Sequence, residues 1–243
     1  MLTITRKEQH STLSGKIALV TGATSGIGAA TADALSARGA TVIGTGRRVD
    51  GPFRADLART ADIDALLNEV QRAHGKLDAL VINAGVSGAP DIADLSLQAY
   101  DELMNVNVRG AVFTFVRALP LLADGASVVF VGSVAGRKGQ PGDPLYAGSK
   151  GFIRAFARSA GTDPKLLARR IRVNVVTPGP IDTPLTKDAV SNAEVSAYVE
   201  NIIPMHRWGQ ATEVANAIAF LASDEASFTT GAELTVDGGM SHA

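Results

Sequence analysis

Residues Thr21-Gly22-Ala23-Thr24-Ser25-Gly26-Ile27-Gly28 separate a short apolar run, residues 17–20, from an amphipathic stretch, residues 27–38. The apolar run predicts a buried strand, and the helical spacing that follows predicts a helix. Glycines on a strand-to-helix turn let the backbone approach a pyrophosphate, which the helix N-terminus attracts. The spacing is G-x-x-x-G-x-G, and a tight turn without a ligand is the alternative. The position after the first strand favours a dinucleotide site.

Apolar runs alternate with amphipathic stretches along the chain. The predicted strands are residues 17–20, 41–45, 79–82, 127–131, 172–176 and 234–236, and the predicted helices are residues 27–38, 61–74, 97–122, 147–160 and 212–222. This alternation implies parallel strands with helices on both faces, which is a doubly wound α/β domain. No linker or repeat divides the sequence. We therefore expect one domain, residues 14–243, after an N-terminal arm, residues 1–13.

Composition narrows the class of protein. The chain has 243 residues, 46% of them hydrophobic and 19% charged, with a formal net charge of -1. This charge gives no reason to expect nucleic acid or an anionic membrane as a partner. The sequence has no cysteine for a disulfide or thiolate, and its four histidines lack metal-site spacing. We expect a cytoplasmic protein without a resident metal.

Residues 46–57, GRRVDGPFRADL, form an unusually short connection. Residues 53–55 could be a strand that follows the strand at 41–45. Parallel strands need a crossover of a dozen or more residues, usually a helix, and residues 47–52 are too few to supply one. The sequence therefore predicts that a crossover helix is missing between the second and third strands.

Tyr146 and Lys150 are four residues apart, on one face of a predicted helix. A nearby ammonium favours the phenolate and would lower the pKa of tyrosine, ordinarily near 10. Such a pair alone is more often a solvated helix face. Ser133, at the end of a predicted strand, adds a hydroxyl where doubly wound sheets bind ligands. The sequence lacks the G-x-S-x-G motif that a serine hydrolase of this fold would need.

Together these motifs resemble the short-chain dehydrogenase/reductase family, from about Gly15 to Gly239. The motifs in the order and spacing of that family are Thr21 to Gly28, Asn83-Ala84-Gly85, Asn107, Ser133, Tyr146, Lys150 and Pro178-Gly179-Pro180-Ile181-Asp182-Thr183. Residues 213–239 are most similar to the β-ketoacyl-[acyl carrier protein] reductases. The resemblance implies a Rossmann-type sheet of about seven strands in the order 3-2-1-4-5-6-7, and an NAD(P)-dependent oxidoreductase.

The resemblance implies catalytic roles for four residues. Tyr146 would be the general acid in carbonyl reduction and the base in alcohol oxidation. Lys150 would lower the pKa of Tyr146 and hold the nicotinamide ribose. Ser133 would orient the carbonyl, and Asn107 would kink its helix and hold a water in a proton relay.

The resemblance also assigns residues to the cofactor. Asn83 to Gly85 would line the adenosine ribose, Asp56 and Leu57 the adenine, and Ile181 with Thr183 would grip the nicotinamide carboxamide. The full set is Gly22, Thr24, Ser25, Gly26, Ile27, Gly28, Arg47, Arg48, Asp56, Leu57, Asn83, Ala84, Gly85, Tyr146, Lys150, Pro178, Gly179, Ile181 and Thr183. The sequence departs from the family pattern in four places. Ile82 replaces an asparagine, which we expect to disturb hydrogen bonding at the strand end, and Gly132 replaces a common second serine. The other two are the insertion Thr162-Asp163-Pro164, away from the site, and the missing crossover helix.

The end of the second strand normally selects the cofactor. A carboxylate there would bind the ribose of NAD, whereas Arg47 and Arg48 could bind a 2′-phosphate. Asp50 leaves NAD(H) possible, because a short loop could fold it toward the ribose. The two arginines favour NADP(H).

The substrate pocket would be lined by Ser133, Gln140, Leu145, Tyr146 and Pro180, with residues 185–204 as a lid. A small or medium carbonyl compound ranks first. A carrier-bound β-ketoacyl chain ranks second, because residues 123–126 lack the basic residue of the carrier-dependent reductases, although Arg169, Arg170 and Arg172 could compensate. A non-catalytic nucleotide sensor is a third possibility. The family resemblance also suggests a homo-oligomer, a tetramer or dimer.

Overall fold

The computed structural model describes residues 12–88, 90–139 and 142–242, so Gln140 and most of the predicted N-terminal arm lie outside the described residues. In this part of the chain, six parallel strands form one sheet in the order β2-β1-β3-β4-β5-β8. The strands are β1 (Ile17–Thr21), β2 (Thr41–Thr45), β3 (Leu77–Ile82), β4 (Leu122–Val131), β5 (Arg172–Pro178) and β8 (Glu233–Val236), with a separate two-stranded pair of β6 (Ile181–Asp182) and β7 (Gly209–Gln210).

Helices cover both faces of the sheet. They are α1 (Gly26–Ser36), α2 (Thr60–His74), α3 (Leu97–Met104), α4 (Ala111–Ala118), α5 (Pro144–Ala160), α6 (Pro164–Ala168), α7 (Lys187–Ser191), α8 (Ala193–Ile202) and α9 (Ala211–Ala222). Apolar residues of α2, α4 and α5 form one cluster with the sheet, and those of α1 and α9 form a second. The predicted doubly wound fold is confirmed. Leu13, at the edge of the predicted arm, is already buried in the second cluster.

The edge of the sheet beside β2 is shorter than expected. The predicted third strand is reduced to one parallel bridge between Gly46 and Arg54, so the main sheet has six strands where about seven were expected. Thr45 Oγ1 donates to Phe53 O at 2.6 Å, and Ala55 N donates to Gly46 O at 3.4 Å. Residues 46–54 are all described and contain no helix. The missing crossover helix is therefore confirmed, and hydrogen bonds close the short loop that replaces it.

The long helix predicted over residues 97–122 is interrupted. A π-helical turn, Asn105–Gly110, separates α3 from α4, and the helix ends at Ala118. Leu122 already belongs to β4, which starts before the predicted strand 127–131. Helical periodicity missed this boundary because the apolar residues before β4 continue the helical pattern.

Proline and glycine mark helix ends where the sequence suggests. The helix that carries Tyr146, α5, ends at Ala160, and Pro164 then begins α6 with Asp163 as its N-cap. Gly75 ends α2 with a φ of 75°, and its N–H donates to Gln71 O. Within the described ranges, no helix is long and apolar enough to span a membrane.

Candidate active site

The carboxyl ends of the central strands open into a cleft of about 740 Å³. This volume lies in the range of sites that hold cofactors and small ligands. The glycine-rich turn after β1 forms one part of the wall, the loop after β3 another, and α5 supplies Tyr146 and Lys150. The cleft therefore lies where doubly wound sheets bind nucleotides.

The glycines of the turn have geometric reasons to be glycine. Gly22 and Gly26 have φ angles of 66° and 55°, in the left-handed region that side chains rarely adopt. A Cβ on Gly28 would lie 2.1 Å from Gly22 O, so Gly28 lets α1 pack against the turn. Among the described residues, the Ser25 side chain makes no cap to the first turn of α1. The N–H groups of this turn thus line the cleft without a side-chain cap, as a pyrophosphate would require.

The wall after β3 is joined to this turn through Asn83. Asn83 Nδ2 donates to Thr21 O at 2.9 Å and to Gly22 O at 3.3 Å. The Thr21 hydroxyl accepts from both Asn83 N and Ala84 N. Ile82 is buried in the core, and the disturbance expected from its replacement of an asparagine is not seen in these hydrogen bonds of the residues that follow it.

Arg47 and Arg48 line the end of the cleft beside β2, and both are exposed. Arg48 Nη2 lies 3.4 Å from Ser25 Oγ, so this guanidinium reaches the glycine-rich turn. Asp50 is exposed and is not part of the cleft wall that the described residues form. Asp56 lines the cleft, and its Oδ1 accepts from Ala58 N at 3.1 Å.

Ser133, Tyr146 and Lys150 converge where β4 meets α5. The Ser133 side chain lies close enough to the Tyr146 hydroxyl to lower the pKa of that phenol, and its Oγ accepts from Ala135 N. Lys150 is buried, and its Nζ donates to Val131 O at 2.9 Å. The same Nζ lies 5.7 Å from the centre of the Tyr146 ring. A phenol, a hydroxyl and an ammonium are thus held together beside the cleft.

The pKa of Tyr146 is shifted upward, opposite to the lowering that the sequence predicts from Lys150. Burial is the largest cause, the hydrogen bond from Ser133 opposes it, and the charge of Asp143 adds to it. Burial also lowers the pKa of Lys150 to about 8. The Lys150 ammonium lies over the tyrosine ring and donates to the Val131 carbonyl. The spacing of Tyr146 and Lys150 along the helix therefore did not predict that the pKa of Tyr146 is raised.

Asn107 lies in the π-helical turn and is buried. Its Oδ1 accepts from Val86 N and its Nδ2 donates to Val86 O, both at 2.8 Å. Nδ2 also lies 3.1 Å from Ser149 Oγ, which in turn donates to Tyr146 O. Asn107 therefore ties the loop after β3 to the helix that carries Tyr146.

Most of the predicted site residues line the cleft. These are Gly22, Thr24, Ser25, Gly26, Ile27, Arg47, Arg48, Asp56, Leu57, Asn83, Ala84, Gly85, Tyr146, Lys150 and Thr183. The described cleft wall does not include Gly28, Asn107, Ser133, Leu145, Pro178, Gly179, Pro180 or Ile181. Of these, Pro180 and Ile181 line a second cavity of about 430 Å³. The roles of all these residues stay predictions, and Gln140 lies outside the described residues.

Sequence reasoning missed several residues. Val86 and Val106 line the cleft, although the sequence marks them only as apolar residues near motifs. Asp143 and Ser149 contact the backbone of Tyr146. For Asp143 a signal exists, because Asp143-Pro144 is typical of a helix N-cap followed by its first residue.

Comparison with known proteins now identifies the family. A family model described as Enoyl-(Acyl carrier protein) reductase matches residues 22–241. A solved short-chain type dehydrogenase/reductase from Mycobacterium marinum superimposes with a TM-score of 0.88 at 28% identity, over 96% of this chain and 98% of that chain. The chain belongs to the short-chain dehydrogenase/reductase family.

Two curated relatives show how similar other members of the family are. The 3-oxoacyl-[acyl-carrier-protein] reductase FabG of Escherichia coli (strain K12) is 35% identical, over 93% of this chain and 97% of its own. The NADP-dependent (R)-specific alcohol dehydrogenase of Lentilactobacillus kefiri is also 35% identical, with the same coverage of 93% and 97%. This short-chain dehydrogenase/reductase is thus an oxidoreductase by family. No cluster of three potential metal ligands occurs among its described residues.

Proposed function

We propose that this short-chain dehydrogenase/reductase interconverts a small or medium carbonyl compound and its secondary alcohol, with NADP(H) as the hydride carrier. The observation that carries this proposal is the convergence of Ser133, Tyr146 and Lys150 beside the cleft. The relative that is named an NADP-dependent alcohol dehydrogenase supports the same reaction class.

The cleft fits a dinucleotide. The uncapped first turn of α1 and the close approach at Gly28 suit a pyrophosphate. Arg47 and Arg48 would bind the 2′-phosphate, since both line the adenosine end and Asp50 does not. Thr183, on the cleft wall, would hold the nicotinamide carboxamide. When bound, the cofactor supplies or accepts the hydride.

The protein's own contribution is the proton. The raised pKa of Tyr146 keeps its phenol protonated at neutral pH, which suits donation to a carbonyl oxygen during reduction. Ser133, whose side chain lies beside that phenol, would orient the carbonyl. For alcohol oxidation Tyr146 must first lose its proton, and Lys150 is the positive charge nearby that favours the phenolate.

A carrier-bound β-ketoacyl substrate is the second candidate, and the relative named FabG favours it. Two of the three arginines that could form its docking patch are engaged elsewhere, and only Arg170 of the three is exposed. Arg169 pairs with Asp124 and donates to two main-chain carbonyls. Arg172 is buried and donates to Leu221 O and Ser223 O at the end of α9. A free carbonyl compound therefore remains the better substrate class.

A non-catalytic nucleotide sensor remains the alternative from another class. It would need the cleft but not the convergence of Ser133, Tyr146 and Lys150. Calorimetric titration with NADP and NAD would test nucleotide binding by itself. Binding of either cofactor without turnover of any carbonyl would favour the sensor.

Homo-oligomerisation is also proposed, as a tetramer or dimer. The family resemblance suggests contacts through the helices predicted over residues 97–122 and 146–160, and through a second surface near the C-terminus. Apolar side chains are exposed on those helices: Tyr100, Phe113, Val116 and Phe152. Phe220 and Phe228 are exposed near the C-terminal part of the chain. Exposed apolar groups on one surface are typical of interfaces. Light scattering would give the mass in solution. The cytoplasmic location stays a prediction.

The test of the proposed function is oxidation of NADPH in the presence of a broad panel of ketones and aldehydes. We expect turnover of at least one compound and loss of that turnover in Tyr146→Phe, with cofactor affinity preserved. Tyr100→Phe removes the same hydroxyl from an exposed helix and serves as the control. Unchanged activity in Tyr146→Phe would refute the mechanism.

A further inference from the structure

Asp143 joins two walls of the cleft. As the N-cap of α5, it accepts a hydrogen bond from Tyr146 N through Oδ1 at 3.0 Å. Its second oxygen, Oδ2, accepts from Gly88 N, also at 3.0 Å. One carboxylate therefore connects the backbone of Tyr146 with the loop that continues from the cleft wall after β3.

The loop after β3 is held at two points. Val86 is fixed by its paired hydrogen bonds to Asn107, and Gly88 by its hydrogen bond to Asp143. Gly88 has a φ of 89°, a conformation that glycine adopts without strain. Hydrogen bonds to an ionised acceptor are stronger than neutral ones, so the Asp143 contact restrains this loop more than an amide or hydroxyl would.

Asp143 also acts on the Tyr146 hydroxyl through its charge. Three groups surround the Tyr146 phenol: the Ser133 side chain from the loop after β4, the Lys150 ammonium from α5, and the Asp143 carboxylate at the start of α5. Ser133 lowers the pKa of the phenol, while the charge of Asp143 raises it. The carboxylate thus extends to higher pH the range in which Tyr146 is protonated and can donate.

We propose that Asp143 is a positioning residue for carbonyl reduction, which aligns Tyr146 with the loop at Gly88. This inference rests on the proposed function. It adds a residue that neither touches the cofactor cleft nor carries out the proton transfer itself. Its effect is exerted entirely through Tyr146 and the loop.

Two substitutions keep the helix cap that Asp143 provides and remove its charge and its contact with Gly88. Asp143→Asn keeps an oxygen for Tyr146 N, but removes the charge and the acceptor for Gly88 N. Asp143→Ser keeps only a helix cap. Asparagine and serine are both good N-caps, so both variants are expected to fold. We expect kcat for carbonyl reduction to fall by roughly tenfold in each. We also expect the alkaline limb of the pH–rate profile to move toward lower pH.

The chain offers a matched control. Asp163 is also partly buried, also precedes a proline, and caps α6 by accepting from Lys165 N at 2.8 Å. Asp163→Asn removes the same charge from the same type of cap, away from the cleft. We expect unchanged kcat and an unchanged pH–rate profile in this variant. Asp163→Asn and Asp143→Asn should lose a similar, small amount of thermal stability.

A second readout is independent of turnover. Tyrosinate absorbance, taken as the difference between proteins with Tyr146 and with Tyr146→Phe, reports the ionisation of Tyr146 directly. We expect that ionisation at lower pH in Asp143→Asn than in the wild-type protein. Unchanged ionisation together with unchanged kcat would overturn the proposal. If the wild-type protein reduced no carbonyl, the proposed function would fail, and the absorbance titration would still decide the influence of Asp143 on Tyr146.

Discussion

Asn107 and Val86 exchange two hydrogen bonds, each 2.8 Å long, between the π-helical turn and the cleft wall. The side-chain amide of Asn107 thereby satisfies both main-chain groups of Val86, as a neighbouring strand would, in a loop that pairs with no strand. Because the amide is buried, a partner lost here would not be replaced freely by water. Through Ser149, these hydrogen bonds fix the position of the cleft wall at Val86 relative to the helix that carries Tyr146.

Substitution of Asn107 should cost both stability and activity. Asn107→Ala removes the bonds to Val86 and Ser149, and we expect the free energy of unfolding to fall by about 2–3 kcal/mol. Asn107→Asp should also reduce kcat, because a carboxylate cannot donate to Val86 O. Denaturant unfolding and steady-state kinetics measure both effects. Asn105→Ala, in the same turn but only partly buried, is the control. Equal effects of the two alanine substitutions would contradict this role.

Lys150 should destabilise the protein at neutral pH. Its pKa is about 8 in the folded protein and 10.5 ordinarily, so the folded state disfavours the ammonium. Stability from this group is therefore gained as pH rises from about 8 to about 10.5. The gap corresponds to about 3 kcal/mol at neutral pH. Lys150→Met removes this penalty but also loses about 1 kcal/mol with the hydrogen bond to Val131 O. We therefore expect the variant to be more stable than the wild-type protein by about 2 kcal/mol at neutral pH.

The pH dependence of unfolding checks this expectation for Lys150. The advantage of Lys150→Met should shrink above about pH 8 and reverse near the ordinary pKa of lysine, while its reductase activity is lost at every pH. Lys165→Met, at an exposed position on α6, should follow the wild-type curve. Parallel stability curves for Lys150→Met and the wild-type protein would show that the lysine is not buried as an ammonium.

Arg47 and Arg48 should determine the preference for NADP over NAD. Replacing either with serine removes a charged hydrogen-bond donor from the 2′-phosphate. We therefore expect the ratio of kcat/KM with NADP(H) to kcat/KM with NAD(H) to fall by roughly 10- to 100-fold. Asp50→Ala should leave the ratio unchanged, because Asp50 is outside the described cleft wall. A loss of NAD-linked activity in Asp50→Ala would instead mean that Asp50 reaches the ribose.

Trp208 should report movement of the predicted lid, residues 185–204. It is the one tryptophan of the sequence, is buried, and donates from Nε1 to Ser196 Oγ in α8 at 2.9 Å. We expect substrate to change its fluorescence emission. Ser196→Ala should shift the emission of the free protein and raise KM more than it lowers kcat. Ser191→Ala, at an exposed position in α7, should do neither. Emission insensitive to a saturating substrate would contradict the coupling of Trp208 to the lid.

The order of strands and helices could be predicted because burial leaves a periodic trace in the sequence. β1, β2 and α1 lie close to their predicted ranges for this reason. Boundaries set by tertiary contacts left no such trace. Leu122 pairs with Leu77 in the sheet, and this long-range contact begins β4 inside the predicted helix. The third strand shrinks to one bridge because its loop is too short to return along β2.

The chemistry of the site was predictable only as far as residue types determine it. Tyr146, Lys150 and Ser133 could be named from spacing and the family resemblance. The direction of the Tyr146 pKa could not, because it depends on burial and on Asp143 as well as on Lys150. Likewise, a Cβ at Gly132 would lie 3.1 Å from Val175 Cγ1 and Thr177 Oγ1. Only the packing of β4 against β5 reveals that the second serine of the family has little room here.

The closed loop beside β2 separates the residues proposed for cofactor selection from the core of the sheet. Residues 47–53 leave the sheet at Gly46 and return at Arg54, and the hydrogen bonds at these two ends do not involve the side chains of Arg47 and Arg48 at the cleft. Under the proposed function these two side chains meet the nucleotide, while other residues support the core beneath them. Redesign for a different nucleotide would therefore need a graft of this seven-residue loop rather than a new crossover helix.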